Sequence, residues 1–462
     1  MTEPRGPRRR TLLTGLAAGA AAAGGGAFLF RHKLARTVRR LTRDRAFAAT
    51  PALVPHDPAR ERRTLHVARG GGPVANIDAV LDQVGLDKLI GDDDVVLVKV
   101  SAQWWNQGMT NVAAARRVVQ RLLDRPGFRG EVILFENTHF RLANGSGLSR
   151  AFTHPSERNV DVPGWASLGD LVTELRASGK PASAVGLVDA APSSLADDPW
   201  HDPRHDHGIY GGDGRGPLAP GDVRDGYHWD LARAFTRKRG WLETARTPLS
   251  WPVLRSPRSG LYVDLANGVF EVAGTSLRKT ARKLTWLSMV TVNEHASTGM
   301  TACCKSAMGV VDMSAGKFGT DPRTDGYASI HYFGNPEATW RMAGPLAHFA
   351  RTVRAPDLYL AVAEWVAIRP APGAAWDEAT QDARLAAESA HQAGTVIAGV
   401  DPVAVDYWAA QNVLTPIATR IGARGRHAFD VTNPDSLLSR FLRDYREVYG
   451  GGTMDNELIH VA

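Results

Sequence analysis

The stretch with the most chemical reach is Ser288–Val311, SMVTVNEHASTGMTACCKSAMGVV. An apolar run reaches Asn293-Glu294-His295, a polar turn Ala296-Ser297-Thr298-Gly299 follows, and a short helix is expected from Thr301 to Met308, with Lys305 one turn in. A strand that feeds a helix N-terminus gathers free N–H groups, hydroxyls and a lysine around one point, which suits an anion. Thr298, Gly299 and Thr301 are therefore the anion-binding candidates, and Lys305 is the group that neutralises charge. His295 is the best acid–base candidate, because imidazole titrates near neutral pH. Lys99, in the strand DVVLVKV, supplies a second cation.

Acids sit where these cations need partners. Glu136 ends EVILFE, Glu364 lies near the end of DLYLAVAEW, and Asp401 and Asp406 punctuate DPVAVD. They are candidate ion-pair partners or ligands for a divalent metal, the one cofactor class these residues suggest. Asp401-Pro402 is equally a helix N-cap followed by proline at the first helical position. A second metal candidate is the loop His201-Asp202-Pro203-Arg204-His205-Asp206-His207, where His201, His205 and His207 could ligate. Its competing reading is a solvated polar loop. Glu136 and His139 lie at and beyond a strand end, and His331 follows a glycine-rich loop and could join them. Trp104-Trp105 reads as hydrophobic packing before it reads as a stacking platform. Cys303-Cys304 is expected as two buried helical residues facing different sides. Two cysteines cannot furnish a four-thiolate iron–sulfur cluster within this chain.

The elements that must position these groups alternate. Strands are expected at Thr64–Ala68, Asp94–Val100, Glu131–Glu136, Lys283–Val292, Leu358–Val366 and Thr395–Ala398. Helices are expected at Ile77–Ile90, Asn111–Leu123, Thr339–Val353, Asp377–Ala393 and Asp401–Val413. Strand–helix–strand at this pitch implies an α/β fold, a mostly parallel sheet flanked by helices. A long, irregular insertion rich in Gly, Pro and His spans about 144–257. The expected plan is a leader at 1–45, a linker at 46–62, an α/β domain at 63–415 and a C-terminal extension at 416–462.

Three segments together resemble the domain-of-unknown-function family numbered 362. That family's strand end Lys-Thr-His-Ser, then Thr-Gly-x-Thr, then Lys-Asn-x-x-Gly, is similar to His295, Thr298-Gly299, Thr301, Lys305 and Gly309 here. Asn293 stands in place of the first lysine and Ser306 in place of the asparagine. Its N-terminal Lys-Pro-Asn strand end resembles Lys99-Val100-Ser101, and its Asp-Pro-x-Ala-x-Asp resembles Asp401 to Asp406. The likeness spans roughly Thr64–Asn412 with the insertion unmatched, and it implies no particular reaction.

The address is written at the N-terminus. Arg8-Arg9-Arg10-Thr11-Leu12-Leu13 fits a twin-arginine leader, and Thr11–Phe30 carries no charge. The expected partner is the twin-arginine export machinery, and the expected location is across the cytoplasmic membrane, released or held by the N-terminal segment alone. Charge agrees. The whole chain has net charge +7, but residues 1–45 hold 11 Lys and Arg against 2 acids, which leaves −2 on the rest. A body of that charge gives no support to nucleic-acid binding. The functional expectation is an exported protein with a site for a small anion, a divalent metal or both at the strand C-termini. The alternative is a non-catalytic periplasmic metal or ligand carrier using the His201–His207 loop.

Overall fold

The computed structural model describes residues 63–102, 109–137, 167–187, 226–239, 243–256, 258–274, 276–311, 339–368 and 389–462. The leader, the linker, His139, His331, Trp104, Trp105 and the His201–His207 loop lie outside them.

The core is one eight-stranded sheet. In chain order its strands are β1 (Arg63–Arg69), β2 (Val95–Lys99), β3 (Glu131–Asn137), β4 (Ala182–Leu187), β10 (Leu284–Thr291), β13 (Leu358–Ala367), β14 (Ala390–Gly399) and β15 (Ile459–Val461). Across the sheet they run β15-β1-β14-β13-β10-β2-β3-β4. Only β14 pairs antiparallel with its neighbours; every other pair is parallel. This is the expected mostly parallel α/β sheet. Its central strands read as unbroken apolar runs because both faces are covered.

Helices α1 (Gly72–Val84), α2 (Val112–Leu123) and α3 (Leu168–Ala177) cover one face. Asn111 caps α2 as expected, its Oδ1 accepting from Ala114 N at 2.9 Å. Helices α4 (Trp340–Thr352), α5 (Pro402–Ala409) and α6 (Leu437–Tyr449) bury their apolar sides in the core of the opposite face. A five-stranded antiparallel sheet contributes to that same core. It comprises β5 (Gly226–Arg239), β6 (Glu243–Arg255), β7 (Tyr262–Asp264), β8 (Gly268–Ala273) and β9 (Ser276–Lys279). Phe235 of β5 lies where a Cβ on Gly344 of α4 would fall, 2.3 Å from its ring, so only glycine admits that packing.

Several local expectations differ from the structure. The interval read as an irregular insertion contains α3, β4 and the whole β5–β6 hairpin. Ser167 caps α3 by accepting from Asp170 N at 3.2 Å, and Leu168, Leu171, Val172 and Leu175 form its buried stripe. The tail after 415 is built into the domain: α6 joins the core and β15 pairs with β1. Ala390–Ala393 is strand, not helix, because it pairs with the end of β13.

One topological fact matters for function. From β2 the chain adds β3 and then β4 on one side, whereas β10 and β13 lie on the other side of β2. The strand order therefore reverses between β2 and β10. In open α/β sheets the crevice at such a reversal, at the strand C-termini, is where ligands bind.

Candidate functional site

Lys99 is the last residue of β2 and is 3% exposed; Glu136, next to last in β3, is also 3% exposed. Lys99 Nζ lies 3.2 Å from Glu136 Oε1. The other carboxylate oxygen accepts the Ala102 N–H. Lys99 Nζ also reaches Ser101 Oγ at 3.5 Å. Desolvating two charges is costly, and their mutual attraction must offset that cost.

Gly309 explains how the pair is covered. A Cβ there would fall 2.5 Å from Glu136 Oε1 and 2.7 Å from Lys99 Cε. The backbone of the 3₁₀ turn Ser306–Gly309 thus rests directly on the ion pair. Ser288 of β10 sits beside Lys99 in register, and Tyr359 of β13 sits beside Ser288. The Ser288 hydroxyl is buried and has no hydrogen-bond partner among the described residues. Ser288 is one of three buried hydroxyl residues in the strand LTWLSMVT, with Thr285 and Thr291.

The chain does not enter a helix at Thr301. β11 (Asn293–His295) and β12 (Gly299–Thr301) form a tight antiparallel hairpin, with His295 opposite Gly299. His295 Nδ1 accepts the Ser297 N–H at 3.1 Å and lies 3.2 Å from Thr298 Oγ1, which donates to the Met300 carbonyl at 2.7 Å. A neutral His295 therefore carries its proton on Nε2. Gly299 has φ +78°, and a Cβ on it would meet the Ala428 carbonyl at 2.3 Å. Thr298 and Gly299 shape the hairpin tip and seat it against the C-terminal segment. Half-buried Thr301 pairs with Asn293, and half-buried Lys305 immediately precedes the 3₁₀ turn.

After the hairpin the chain returns to the sheet. Cys303 and Cys304 donate their N–H groups to the two oxygens of Asp406, at 2.7 and 2.9 Å. One carboxylate thus holds both amides, and both cysteine side chains are buried. Burial pushes Asp406 up to about 6 against these donors, which favour its charged form. Burial, reinforced by Asp406, holds both thiols well above the ordinary range. Lys99 acts electrostatically on Cys303, so the cysteine turn and the ion pair are neighbours. Buried Tyr359 and Tyr445 border the same cluster, and burial raises both phenols as well.

Asp401 has a different task. Its Oδ1 caps α5 by accepting from Val403 N at 2.9 Å and Ala404 N at 3.2 Å. Its Oδ2 accepts the Thr453 N–H at 3.1 Å and pairs with Arg63 Nε at 3.2 Å. Glu364 lies where β13 loses register with β14, and it accepts from Asn76 Nδ2 of α1 at 2.7 Å. The structure thus brings together Lys99, Glu136, Gly309, Cys303, Cys304 and Asp406. It places His295, Thr298 and Gly299 at the hairpin tip, and Asp401 and Glu364 in contacts of their own. Among the described residues no group of three or more His, Cys, Asp or Glu is placed to hold a metal. No helix among them is long and apolar enough to cross a membrane.

Residues 263–411 match the family described as Domain of unknown function (DUF362). The matched segment is under half of the chain, and it is this segment that is similar to the family. It takes in the hairpin, the cysteine turn and the Asp401–Asp406 segment, and it begins after Lys99 and Glu136. No curated protein and no solved structure matches the chain.

Proposed function

We propose that this chain is an exported DUF362 protein that binds a small anionic ligand at the C-terminal ends of β2, β3 and β10, with Lys99 as the receiving cation. The observation that carries the reading is the buried Lys99–Glu136 pair at the strand-order reversal. A ligand carboxylate or phosphate oxygen would exchange for Glu136 at the ammonium. An anion is favoured over a divalent metal by the donor count. Both Glu136 oxygens are engaged, whereas an ammonium has three donors and Lys99 directs one at Glu136 and one, at long range, at Ser101. The hydroxyl of Ser288 adds an unused donor on the same face. The reading assigns a binding role and leaves the reaction open. Export rests on the twin-arginine pattern and the basic residues 1–45.

The test is calorimetric titration of the purified chain with inorganic phosphate and with a mono- and dicarboxylate panel, Mn²⁺ and Zn²⁺ in parallel. Binding of an anion that is lost in the uncharged double variant Lys99→Met/Glu136→Gln, with its circular dichroism unchanged, supports the reading. Equal binding by that variant, or no binding by any anion, overturns it. Metal retained stoichiometrically and lost on His205→Ala/His207→Ala would favour the carrier reading instead. Export is tested by Arg9→Lys/Arg10→Lys, which should leave the chain in the cytoplasm.

A further inference from the structure

The ligand reading leaves Cys303 and Cys304 without a role, yet they occupy a mechanically critical point. They follow β12 after Ala302 and precede the turn that lays Gly309 on the ion pair. One carboxylate, Asp406 on α5, fixes that point through both amides. Each cysteine is 1% exposed and neither is in a disulfide. While the turn is closed the thiols are shielded and protonated, and the thiolate is the reactive species.

Their spacing makes oxidation incompatible with this closed arrangement. Adjacent Cα atoms across a trans peptide are ~3.8 Å apart, below the ~4.4–6.8 Å that disulfides usually span. Closing a bond between the two sulfurs must distort the peptide that joins the residues. That peptide carries the Cys304 N–H, one of the two donors to Asp406. Asp406 would be left buried with a donor missing, a costly state that the turn relieves by lifting.

We propose that Cys303 and Cys304 are a thiol–disulfide switch that governs whether the 303–309 turn stays closed over Lys99 and Glu136. The co-reactant is a small-molecule disulfide, RSSR. When the turn opens, one cysteine loses its proton and attacks RSSR, forming a mixed disulfide and expelling RS⁻. The neighbouring cysteine, also deprotonated, attacks the protein sulfur of that mixed disulfide. The Sγ–Sγ bond forms, a second RS⁻ leaves, and the two thiol protons end on the two RS⁻. RSSR is thereby reduced to two RSH, and the cysteine pair loses two electrons and two protons. The strained bond should be readily reduced, so the switch is reversible. It stands independently of the ligand reading, because its readout is thiol chemistry and not anion binding.

The test treats the full chain with 5,5′-dithiobis(2-nitrobenzoate), whose released thiol is coloured. The expected result is slow release of two coloured equivalents, a final chain mass lower by two hydrogens, and full recovery with dithiothreitol. Hydrogen exchange over 303–311 should quicken in the oxidised chain. Asp406→Asn should accelerate release by about tenfold or more, since it weakens the hydrogen bonds that hold the turn shut. Cys304→Ser should stop at a stable mixed disulfide on Cys303, which shows the chemistry without requiring Asp406→Asn to fold well. A stable doubly labelled chain, no release short of denaturant, or unchanged exchange over 303–311 after oxidation would each overturn the proposal.

Discussion

Gly309→Ala is the sharpest single test of the site's geometry. The added Cβ would lie 2.5 Å from Glu136 Oε1, 2.7 Å from Lys99 Cε and 3.0 Å from Lys99 Nζ. Ordinary contact begins nearly 1 Å further out, so something must move. Glu136 is pinned by Lys99 and by the Ala102 N–H, and breaking a buried pair costs roughly 3–5 kcal/mol. Backing the turn away strains the packing of Met308, Val310 and Val311 at about 1–3 kcal/mol, the usual range for overpacking. The cheaper route wins, so a loss of about 2 kcal/mol is expected, read as a lower urea midpoint with unchanged slope. Gly451→Ala is the control: a Cβ there meets nothing within 4 Å, and it should stay within about 0.5 kcal/mol of the parent. Combining Gly309→Ala with Glu136→Ala removes the clashing carboxylate, so the two losses should be clearly less than additive. Strict additivity, or a Gly309→Ala chain as stable as the control, would refute the placement of this turn on the ion pair.

Three further outcomes follow from the same contacts. Lys99→Met alone should cost about 3–5 kcal/mol because it strands a buried carboxylate, while Lys99→Met/Glu136→Gln should recover much of that loss in urea unfolding. Asp401→Ala removes a helix cap and the ties to Arg63 and Thr453; a loss of about 2 kcal/mol or more is expected, with faster hydrogen exchange and proteolysis after 450. Asp406, raised from 3.8 to about 6, binds its proton more tightly when folded than when unfolded. It should therefore make stability fall as pH rises from about 4 to 6, by on the order of 3 kcal/mol, and then level off. Asp406→Asn should abolish that part of the slope in midpoints measured across the window, and an unchanged slope would sink the assignment.

The sheet was legible because its strands are buried on both faces: DVVLVKV, EVILFE and DLYLAVAEW are apolar runs that no solvated element would carry. The caps at Asn111 and Asp401 were legible because capping is local chemistry. What the sequence hid was set by distant partners. Thr301 to Met308 has helical composition, yet Asn293–His295 pairs with Gly299–Thr301, and Asp406 then claims the two N–H groups that a helix would have left free. Ala390–Ala393 follows helix-like sequence, but it pairs with the end of β13. Adjacent cysteines on a helix would leave their amides to the helix; on this turn one carboxylate holds both of them. Lys99, Glu136 and Gly309 could be named singly from strand ends and resemblance. Their mutual contact depends on strand order, which no local pattern encodes.

Asn293 shows why the departure from the family-like pattern is built into this chain and is not a surface accident. Its Oδ1 accepts the Ala367 N–H at 2.7 Å, and its Nδ2 donates to Thr291 Oγ1 at 3.2 Å. The side chain therefore ties the start of β11 to the end of β13, and it is 8% exposed. A lysine has donors and no acceptor, so it could not receive the Ala367 N–H. It would also bring an ammonium into a buried junction. The cationic role at that strand end is thus structurally closed here, and in the proposed anion reading the receiving cation is Lys99 at the strand-order reversal. In that proposal a single receiving cation favours a ligand of low charge, a carboxylate or monoanion, over a polyphosphate. The relative heats of the carboxylates and of phosphate report that choice directly.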